Sequence, residues 1–168
     1  AELGVGQAEM LIGTVGRLVE VKRQDLLIRA FARVCRQFDK ARLVLVGDGE
    51  ERGRLESLVN ELKLRERVLF AGYQAQPQRF YQAMDVFALS SRHEGLPLAL
   101  LEAWAADLPV VVPAVGGIAK VVDDEETGLL FPREDEAALA AAMARLFDDA
   151  ALAVRLANAG CKLVGERY

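Results

Sequence analysis

The sequence has few of the residues that build metal centres, disulfide frameworks and hydrolase triads. In 168 residues it contains one histidine, His93, and two cysteines, Cys35 and Cys161. A zinc site therefore lacks ligands, and a nucleophile–histidine–acid triad is a poor interpretation. Because both cysteines lie in apolar stretches with helical spacing, two reduced and packed thiols are favoured over a disulfide or a metal pair.

Long apolar runs, basic runs and a signal sequence are also lacking. No apolar run reaches the length of a membrane span, and the first residues show no signal-peptide pattern. The net charge is −4 and Lys and Arg form no continuous run, which argues against nucleic-acid binding. We therefore expect a cytoplasmic chain that contacts neither nucleic acid nor membrane.

Two glycine-rich nucleotide-binding motifs are absent as well. No Gly-x-x-x-x-Gly-Lys-Ser/Thr segment occurs, which excludes the P-loop NTPases. After the first predicted strand, Gly13-Thr14-Val15-Gly16 lacks the Gly-x-Gly-x-x-Gly spacing of the dinucleotide-binding enzymes. An NAD-linked dehydrogenase is therefore disfavoured.

What the chain does contain is an alternation of short β-rich runs and longer helical patterns. Its 52% hydrophobic and 27% charged residues are typical of a folded protein, and the length suits one domain, residues 1–168. Strands are predicted at 10–15, 43–46, 68–70, 86–89, 110–112 and 129–131, and helices at 25–38, 50–62, 77–84, 94–102, 118–122, 134–147 and 151–164. Repeated β-α units with nearly continuous apolar strands predict a doubly wound parallel sheet, a Rossmann-like α/β fold.

Glycines or polar residues follow nearly every predicted strand. They are Gly13, Gly16, Arg17 and Lys22 after the first strand, Gly47-Asp48-Gly49 after the second, Gly72-Tyr73 after the third, Ser90 to Gly95 after the fourth and Gly116-Gly117 after the fifth. Any one of these glycines is explained by the tight turns that α/β folds require. Five such turns at one edge of a parallel sheet, where ligands of doubly wound folds bind, indicate one extended, phosphorylated ligand.

Two cations and two carboxylates stand out at this predicted edge. Arg17 and Lys22 together could neutralise a diphosphate, although each alone is also explained as an ordinary surface cation. Glu94 precedes a predicted helix that has Pro97 in its first turn, near free backbone N–H groups. Glu102 lies about two turns further on, in an apolar helix, where a carboxylate needs a partner or a ligand. The alternative is a solvated glutamate on an ordinary helix.

A series of motifs resembles one enzyme family over residues 11–147. The motifs are Gly16-Arg17-Leu18 with Lys22, Asp25 to Phe31, Val46-Gly47-Asp48-Gly49, Phe70-Ala71-Gly72, the Glu94 to Glu102 pair with its flanks from Ser90 to Ala105, Pro109-Val110-Val111, Gly116-Gly117 and Thr127 to Leu130. Together they resemble the retaining nucleotide-sugar glycosyltransferases of the group 1 family, glycosyltransferase family 4. The resemblance implies the GT-B fold, two Rossmann-like domains with the active site between them, of which this chain matches the C-terminal, donor-binding domain.

The resemblance also implies a role for each motif residue. Arg17 and Lys22 match the pair that binds the donor diphosphate, which needs no metal and no other cofactor. Glu94 matches the glutamate near the donor sugar, and Glu102 matches the glutamate that binds the ribose hydroxyls. The remaining donor-site positions are the backbone of Gly95 and Leu96 beside the sugar and phosphate, the loop from Ala71 through Gly72 to Tyr73 beside the nucleobase, and Gly16 and Gly47. A simple core or rim aromatic is an equal interpretation of Tyr73.

Two positions depart from the family or are tolerant within it. The family's Gly-Gly-x-Pro-Glu loop is Gly116-Gly117-Ile118-Ala119-Lys120 here, which could change the loop's shape or the preferred sugar. His93 lies where the family accepts several residues, and we interpret it as a loop residue.

The resemblance implies that this chain is one half of an enzyme. The acceptor domain and the final helix that crosses back to it lie outside the chain, so we expect the chain alone to bind nucleotide weakly and not to transfer sugar. A UDP-sugar is favoured as donor, and a glycan or lipid-linked glycan of bacterial lipopolysaccharide, capsule or exopolysaccharide as acceptor. Two alternatives are a GT-B-type epimerase or phosphorylase-like enzyme, whose phosphorylase form needs a pyridoxal-binding lysine context that is not seen, and a non-catalytic nucleotide-binding module.

Overall fold

Six strands run in the same direction in one sheet that carries helices on both faces. The computed structural model describes residue 6 and residues 9–168. The strands are β1 Met10–Val15, β2 Ala41–Val46, β3 Val68–Gly72, β4 Val86–Ala88, β5 Val110–Pro113 and β6 Leu129–Phe131. The helices are α1 Gln24–Val34, α2 Arg52–Glu61, α3 Gln78–Ala83, α4 Leu98–Ala105, α5 Ile118–Val121, α6 Glu136–Asp148 and α7 Ala150–Arg167, and a short 3₁₀ helix, Glu20–Lys22, precedes α1.

The strand order reverses beside the first strand. The sheet has the order β3-β2-β1-β4-β5-β6, and every pairing is parallel. β1 pairs with β2 along its whole length, whereas it pairs with β4 only through Ile12 and Gly13. The loops after β1 and β4 lead to opposite halves of the sheet, and doubly wound folds bind their ligands in a crevice at the carboxyl edge beside such a reversal point. The predicted Rossmann-like α/β fold is confirmed.

Both faces of the sheet are buried, which explains why the strands are nearly continuous apolar runs. Successive residues point to opposite faces, so that Leu43 joins one apolar cluster and its neighbour Val44 joins the other. The first cluster lies under α1, α2 and α6, and the second lies under α3, α4 and α5. Trp104 of α4 anchors the second cluster, because its indole N–H donates to the Thr127 carbonyl at 3.0 Å.

The C-terminal helices begin at side-chain caps. Asp135 accepts a hydrogen bond from the Ala138 N–H at the start of α6, and Asp149 accepts one from the Leu152 N–H at the start of α7, both at 2.9 Å. Each aspartate satisfies a backbone donor that the helix itself leaves unpaired. The predicted helices 134–147 and 151–164 are confirmed, with ends that differ by a few residues.

One predicted helix begins later than its sequence pattern indicates. The segment 94–102 is helical only from Leu98, because Pro97 has an extended backbone and stands before the first turn. Glu94 is therefore a loop residue ahead of the helix, as expected, and the helix begins four positions after it. Leu98, the first residue of this apolar helix, is 69% exposed. Likewise Lys22 lies on the 3₁₀ helix and not on α1.

Two further features of the described residues bear on the sequence predictions. Cys35 and Cys161 are free thiols and each is half-buried, so they form no disulfide with one another. Within residue 6 and residues 9–168, none of the helices is both long enough and apolar enough to cross a bilayer.

Candidate functional site

An ion pair joins the loops that follow β1 and β4. Lys22 and Glu94 lie 72 positions apart in the sequence, and the Lys22 ammonium donates a hydrogen bond to Oε1 of Glu94. The Ser91 hydroxyl donates to the same oxygen at 2.7 Å. Glu94 is only 9% exposed, and a buried carboxylate needs hydrogen-bond partners in the protein, which Lys22 and Ser91 supply. The structure thus brings two of the predicted site residues into direct contact.

Backbone contacts hold the same two loops together. The Ser90 hydroxyl donates to the Lys22 carbonyl at 2.9 Å, and the Arg92 N–H donates to the Val21 carbonyl at 2.8 Å. The 3₁₀ helix that carries Lys22 is therefore fixed against the loop that carries Glu94. The position of the ammonium group depends on this backbone frame as well as on the ion pair.

Some of the predicted site glycines are required by close backbone approach. Gly47 has φ +141°, and a Cβ atom there would lie 1.9 Å from the Gly16 carbonyl oxygen. Gly116 has φ +47°, and a Cβ there would lie 2.0 Å from the Glu94 carbonyl oxygen. The Gly117 N–H donates to that same Glu94 oxygen at 3.1 Å. Gly47 and Gly116 thus fit the turn interpretation, since another loop occupies the space that a side chain would need.

Gly16 and Gly95 are of a different kind. No described atom lies within 4 Å of a Cβ built on either residue, and neither has the left-handed backbone that favours glycine. Their backbones face space that a bound group can enter, which agrees with the ligand interpretation of these two positions.

A cavity of about 440 Å³ opens over the carboxyl ends of β1, β2 and β3. Its lining includes Gly16 and Arg17 from the first loop, Gly47 from the second and Tyr73 from the third. The Arg17 side chain is exposed, while its carbonyl accepts a hydrogen bond from the Gln24 side chain at 2.9 Å. Tyr73 is 78% exposed and stands at the rim, so the rim interpretation fits it and the core interpretation is wrong.

Glu102 finds a partner that sequence reasoning missed. The buried Tyr81 hydroxyl of α3 donates to Oε2 of Glu102 at 2.7 Å. Burial, followed by the hydrogen bond and the charge of Glu102, raises the pKa of Tyr81 well above its ordinary value. Glu102 itself is half-buried rather than enclosed. The carboxylate therefore has the partner that an apolar helix requires, although nothing in the spacing of the two residues indicated which one.

A second layer of charges lies outside the ion pair and was also missed. Glu134, in the loop before α6, accepts hydrogen bonds from Arg92 at 3.0 Å and from Arg23. Arg23 also donates to Asp25 at 2.9 Å. The hydrogen bond from Arg92, together with the charges of Arg92 and Arg23, holds the pKa of Glu134 below its ordinary value. Glu134 adopts φ 63°, which is uncommon for a residue other than glycine.

The remaining predicted positions lie around this crevice. His93 is exposed in the loop after β4, as interpreted, and Leu96 is 39% exposed in the same loop. Lys120 is exposed on α5, which begins directly after Gly117. In the part of the chain that the structure describes, no three His, Cys, Asp or Glu side chains form a group that could hold a metal ion.

The fold and the crevice define a class of protein. A six-stranded, all-parallel Rossmann-like sheet with charged loops at its reversal point is the architecture of the C-terminal domain of GT-B enzymes. The sequence model described as "Glycosyl transferases group 1" matches residues 1–163, and the chain belongs to that family. The resemblance drawn from the motifs is confirmed.

Relatives and solved structures agree with this assignment. The chain is 37% identical over 168 residues to the lipopolysaccharide core biosynthesis glycosyltransferase LpsD of Rhizobium meliloti, covering 100% of this chain and 48% of that protein. It matches Anabaena HepE, solved in complex with UDP-glucose, with a TM-score of 0.93 and 26% identity over 99% of this chain and 46% of that one. It matches the C-terminal domain of LpcC, a group 1 protein of Francisella tularensis, with a TM-score of 0.86 and 26% identity over 95% of this chain and 86% of that one.

The chain spans about half the length of the curated relatives that it matches. The LpcC fragment, by contrast, is nearly coextensive with this chain and forms crystals as a C-terminal domain by itself. The LpcC domain is thus able to fold without the rest of its protein.

Proposed function

We propose that this chain is the donor-binding half of a retaining, metal-independent glycosyltransferase that takes a UDP-sugar as donor. The observation that carries the proposal is the Lys22–Glu94 pair at the reversal of the sheet, on the same carboxyl edge as the Arg17-lined cavity. The relation to HepE, whose solved complex contains UDP-glucose, supports the choice of donor. The acceptor would be a glycan or lipid-linked glycan of the bacterial surface, as the relation to LpsD suggests.

The two cations would bind the diphosphate. Lys22 reaches the crevice from the 3₁₀ helix and Arg17 reaches the cavity from the loop before it, so a diphosphate between them would meet both charges. As the bond between the sugar's anomeric carbon and the phosphate oxygen breaks, negative charge grows on the leaving UDP. Preorganised positive groups stabilise that charge more than they stabilise the intact donor, which lowers the barrier.

The two glutamates would bind opposite ends of the donor. Both donors to Glu94 fall on Oε1, so among the described contacts its Oε2 is available to a sugar hydroxyl. Tyr81 bonds Oε2 of Glu102, which leaves its Oε1 to the ribose hydroxyls. Gly95 and Leu96 would add backbone contacts on the sugar side, and Gly72 and Tyr73 would flank the base at the cavity rim.

Sugar transfer would need more than this chain. LpsD is about twice as long as this chain, and we assign the acceptor contacts to the half that lies outside the matched region. We expect the 168-residue chain to bind UDP weakly and to transfer no sugar, and the full enzyme to work at the cytoplasmic side of the membrane. Transfer by the purified chain would contradict the division of labour between the halves.

A nucleotide panel tests the proposal directly. Thermal unfolding of the chain should shift upward with UDP and UDP-glucose, since a ligand at 100 times its Kd stabilises the folded state by about 2.7 kcal/mol. Lys22→Ala should abolish the shift. Lys162→Ala, which removes an exposed lysine from α7, is the matched control and should keep it. If UDP, GDP and ADP all leave the unfolding temperature unchanged, the chain is a module without donor binding and the proposal fails.

A further inference from the structure

A buried tyrosine hydroxyl stands behind one of the proposed donor contacts. Tyr81 is 2% exposed, and its ring packs on Phe87 of β4 with centroids 5.8 Å apart. A hydroxyl inside an apolar cluster requires a partner, because an unpaired one costs free energy. Oε2 of Glu102 is that partner at 2.7 Å, because the other contact of the hydroxyl, to the Ala99 carbonyl, is much longer at 3.5 Å.

The direction of this hydrogen bond is fixed by the chemistry of the two groups. The raised pKa of Tyr81 keeps its hydroxyl protonated, so it donates and the carboxylate accepts. Glu102 is half-buried on α4, whose residues Leu100, Ala103 and Trp104 are enclosed in the core. One carboxylate oxygen is thus bound to the protein interior, and the described contacts leave the other without a hydrogen bond.

A carboxylate held at one oxygen has lost rotational freedom before a ligand arrives. The terminal torsion of a glutamate is broad, and ordering it on binding reduces affinity. We propose that Tyr81 is a positioning residue that preorients the Glu102 carboxylate for the ribose 2′- and 3′-hydroxyls of the donor nucleotide. This inference rests on the proposed function, because it assigns the ribose to Glu102.

Removing the ribose hydroxyls separates this role from a purely structural one. Calorimetric titration of the chain with UDP and with 2′,3′-dideoxy-UDP gives the ratio of their Kd values. Tyr81→Phe keeps the aromatic ring in the core and deletes the hydroxyl. It should weaken the binding of UDP about 3- to 10-fold and leave the binding of the dideoxy analogue unchanged, because only UDP uses the oriented carboxylate. Glu102→Gln should show the same selectivity, and the double variant should bind UDP no worse than Glu102→Gln alone.

A core variant provides the control. Phe87→Leu disturbs the ring contact of Tyr81 and leaves its hydroxyl in place, so it should lower the unfolding temperature and keep the Kd ratio. Equal loss of both ligands in Tyr81→Phe, or a changed ratio in Phe87→Leu, would overturn the positioning role. If Tyr81→Phe does not fold, 3-fluorotyrosine can be placed at position 81, where its hydroxyl is a stronger hydrogen-bond donor. It should strengthen the binding of UDP and leave that of the dideoxy analogue unchanged. An equal change in both Kd values would also overturn the positioning role.

The outcomes distinguish this inference from the proposed function. Selectivity in Glu102→Gln without selectivity in Tyr81→Phe contradicts the role of Tyr81 and keeps the ribose at Glu102. The absence of selectivity in Glu102→Gln contradicts the ribose assignment itself. The absence of UDP binding by the unchanged chain contradicts the proposed function.

Discussion

The two sides of the crevice differ in how far their polar side chains already have partners within the protein. On the β4 side, Glu94 is buried beneath hydrogen bonds from Lys22 and Ser91, and the loops that carry these residues are bonded to each other. On the β2 and β3 side, a cavity of about 440 Å³ is lined by an exposed Arg17 and an exposed Tyr73. One side is preorganised by the protein itself, whereas the other would be completed by the ligand.

The glycines show the same difference at the level of the backbone. Gly47 and Gly116 accommodate carbonyls of neighbouring loops, so they are needed for the loops to meet. Gly16 and Gly95 border space that no described atom fills, so a side chain at either position would displace no neighbouring loop. A glycine in a strand-to-helix loop can thus serve either purpose, and what lies beyond its Cα decides which.

The largest expected effect on the free energy of unfolding comes from an alanine substitution at a glycine that touches another loop. Gly47→Ala should destabilise the chain by about 3 kcal/mol, because its φ of +141° and the Gly16 carbonyl both exclude a Cβ. Gly16→Ala, the matched variant in the same contact, should change the free energy of unfolding by less than about 0.5 kcal/mol and should weaken UDP binding. Urea denaturation measures the free energy of unfolding, and calorimetry measures the binding of UDP. Equal destabilisation by both variants would remove the distinction.

A somewhat smaller effect tests the preorganised side. Lys22→Met keeps the aliphatic stem and removes the positive charge, so that among the described contacts Glu94 keeps only the neutral Ser91 hydroxyl as a donor, which should cost about 2 kcal/mol of folding free energy. Adding Glu94→Gln should recover part of the loss, because the uncompensated charge is then gone. Urea denaturation of the unchanged chain, Lys22→Met, Glu94→Gln and the double variant gives the coupling between the two residues. Additive losses in the double variant would mean that the pair is not a coupled unit.

The smallest effect concerns the outer charges around Glu134. The pKa of Glu134 lies below its ordinary value in the folded chain, so its contribution to stability is present above the ordinary carboxyl pKa and is lost as the pH falls through the lowered one. Asp25 behaves alike: burial raises its pKa, but the hydrogen bond and charge of Arg23 outweigh burial and lower it. Thermal unfolding between about pH 6 and about pH 3.5 should show this decline, and Glu134→Gln should make it shallower. An unchanged slope in the variant would show that Glu134 contributes nothing to the tie between these loops.

Much of the fold could be predicted because its signals are local. Buried parallel strands such as β2 and β5 are short apolar runs, and the helices between them repeat their apolar residues every three or four positions. The error at α4 has a local cause too. Proline is accepted both in the first turn and just before it, and only the extended conformation of Pro97 shows that the helix begins at Leu98.

The site could be predicted only as a set of residues at one edge. Parallel strands place all their carboxyl ends together, so Lys22 and Glu94 were expected at the same edge of the sheet but not in contact with each other. The partners Tyr81 and Glu134 could not be found in this way. Tyr81 is 21 positions from Glu102 on a different helix, and Glu134 reads as the first residue of a helix although it lies in the loop before α6.

The sequence by itself determined the class of fold, the edge of the sheet that carries the site and, through its motifs, the family. These follow from the periodicity of apolar residues and from the order of the motifs, both of which can be read from the sequence alone. Only the tertiary structure decided that Lys22 pairs with Glu94, which glycines hold loops together and which face open space, and that Tyr81 bonds one oxygen of Glu102. These facts depend on distances of a few ångströms between residues far apart in the chain, and such distances are set by the packing of loops and helices on the sheet.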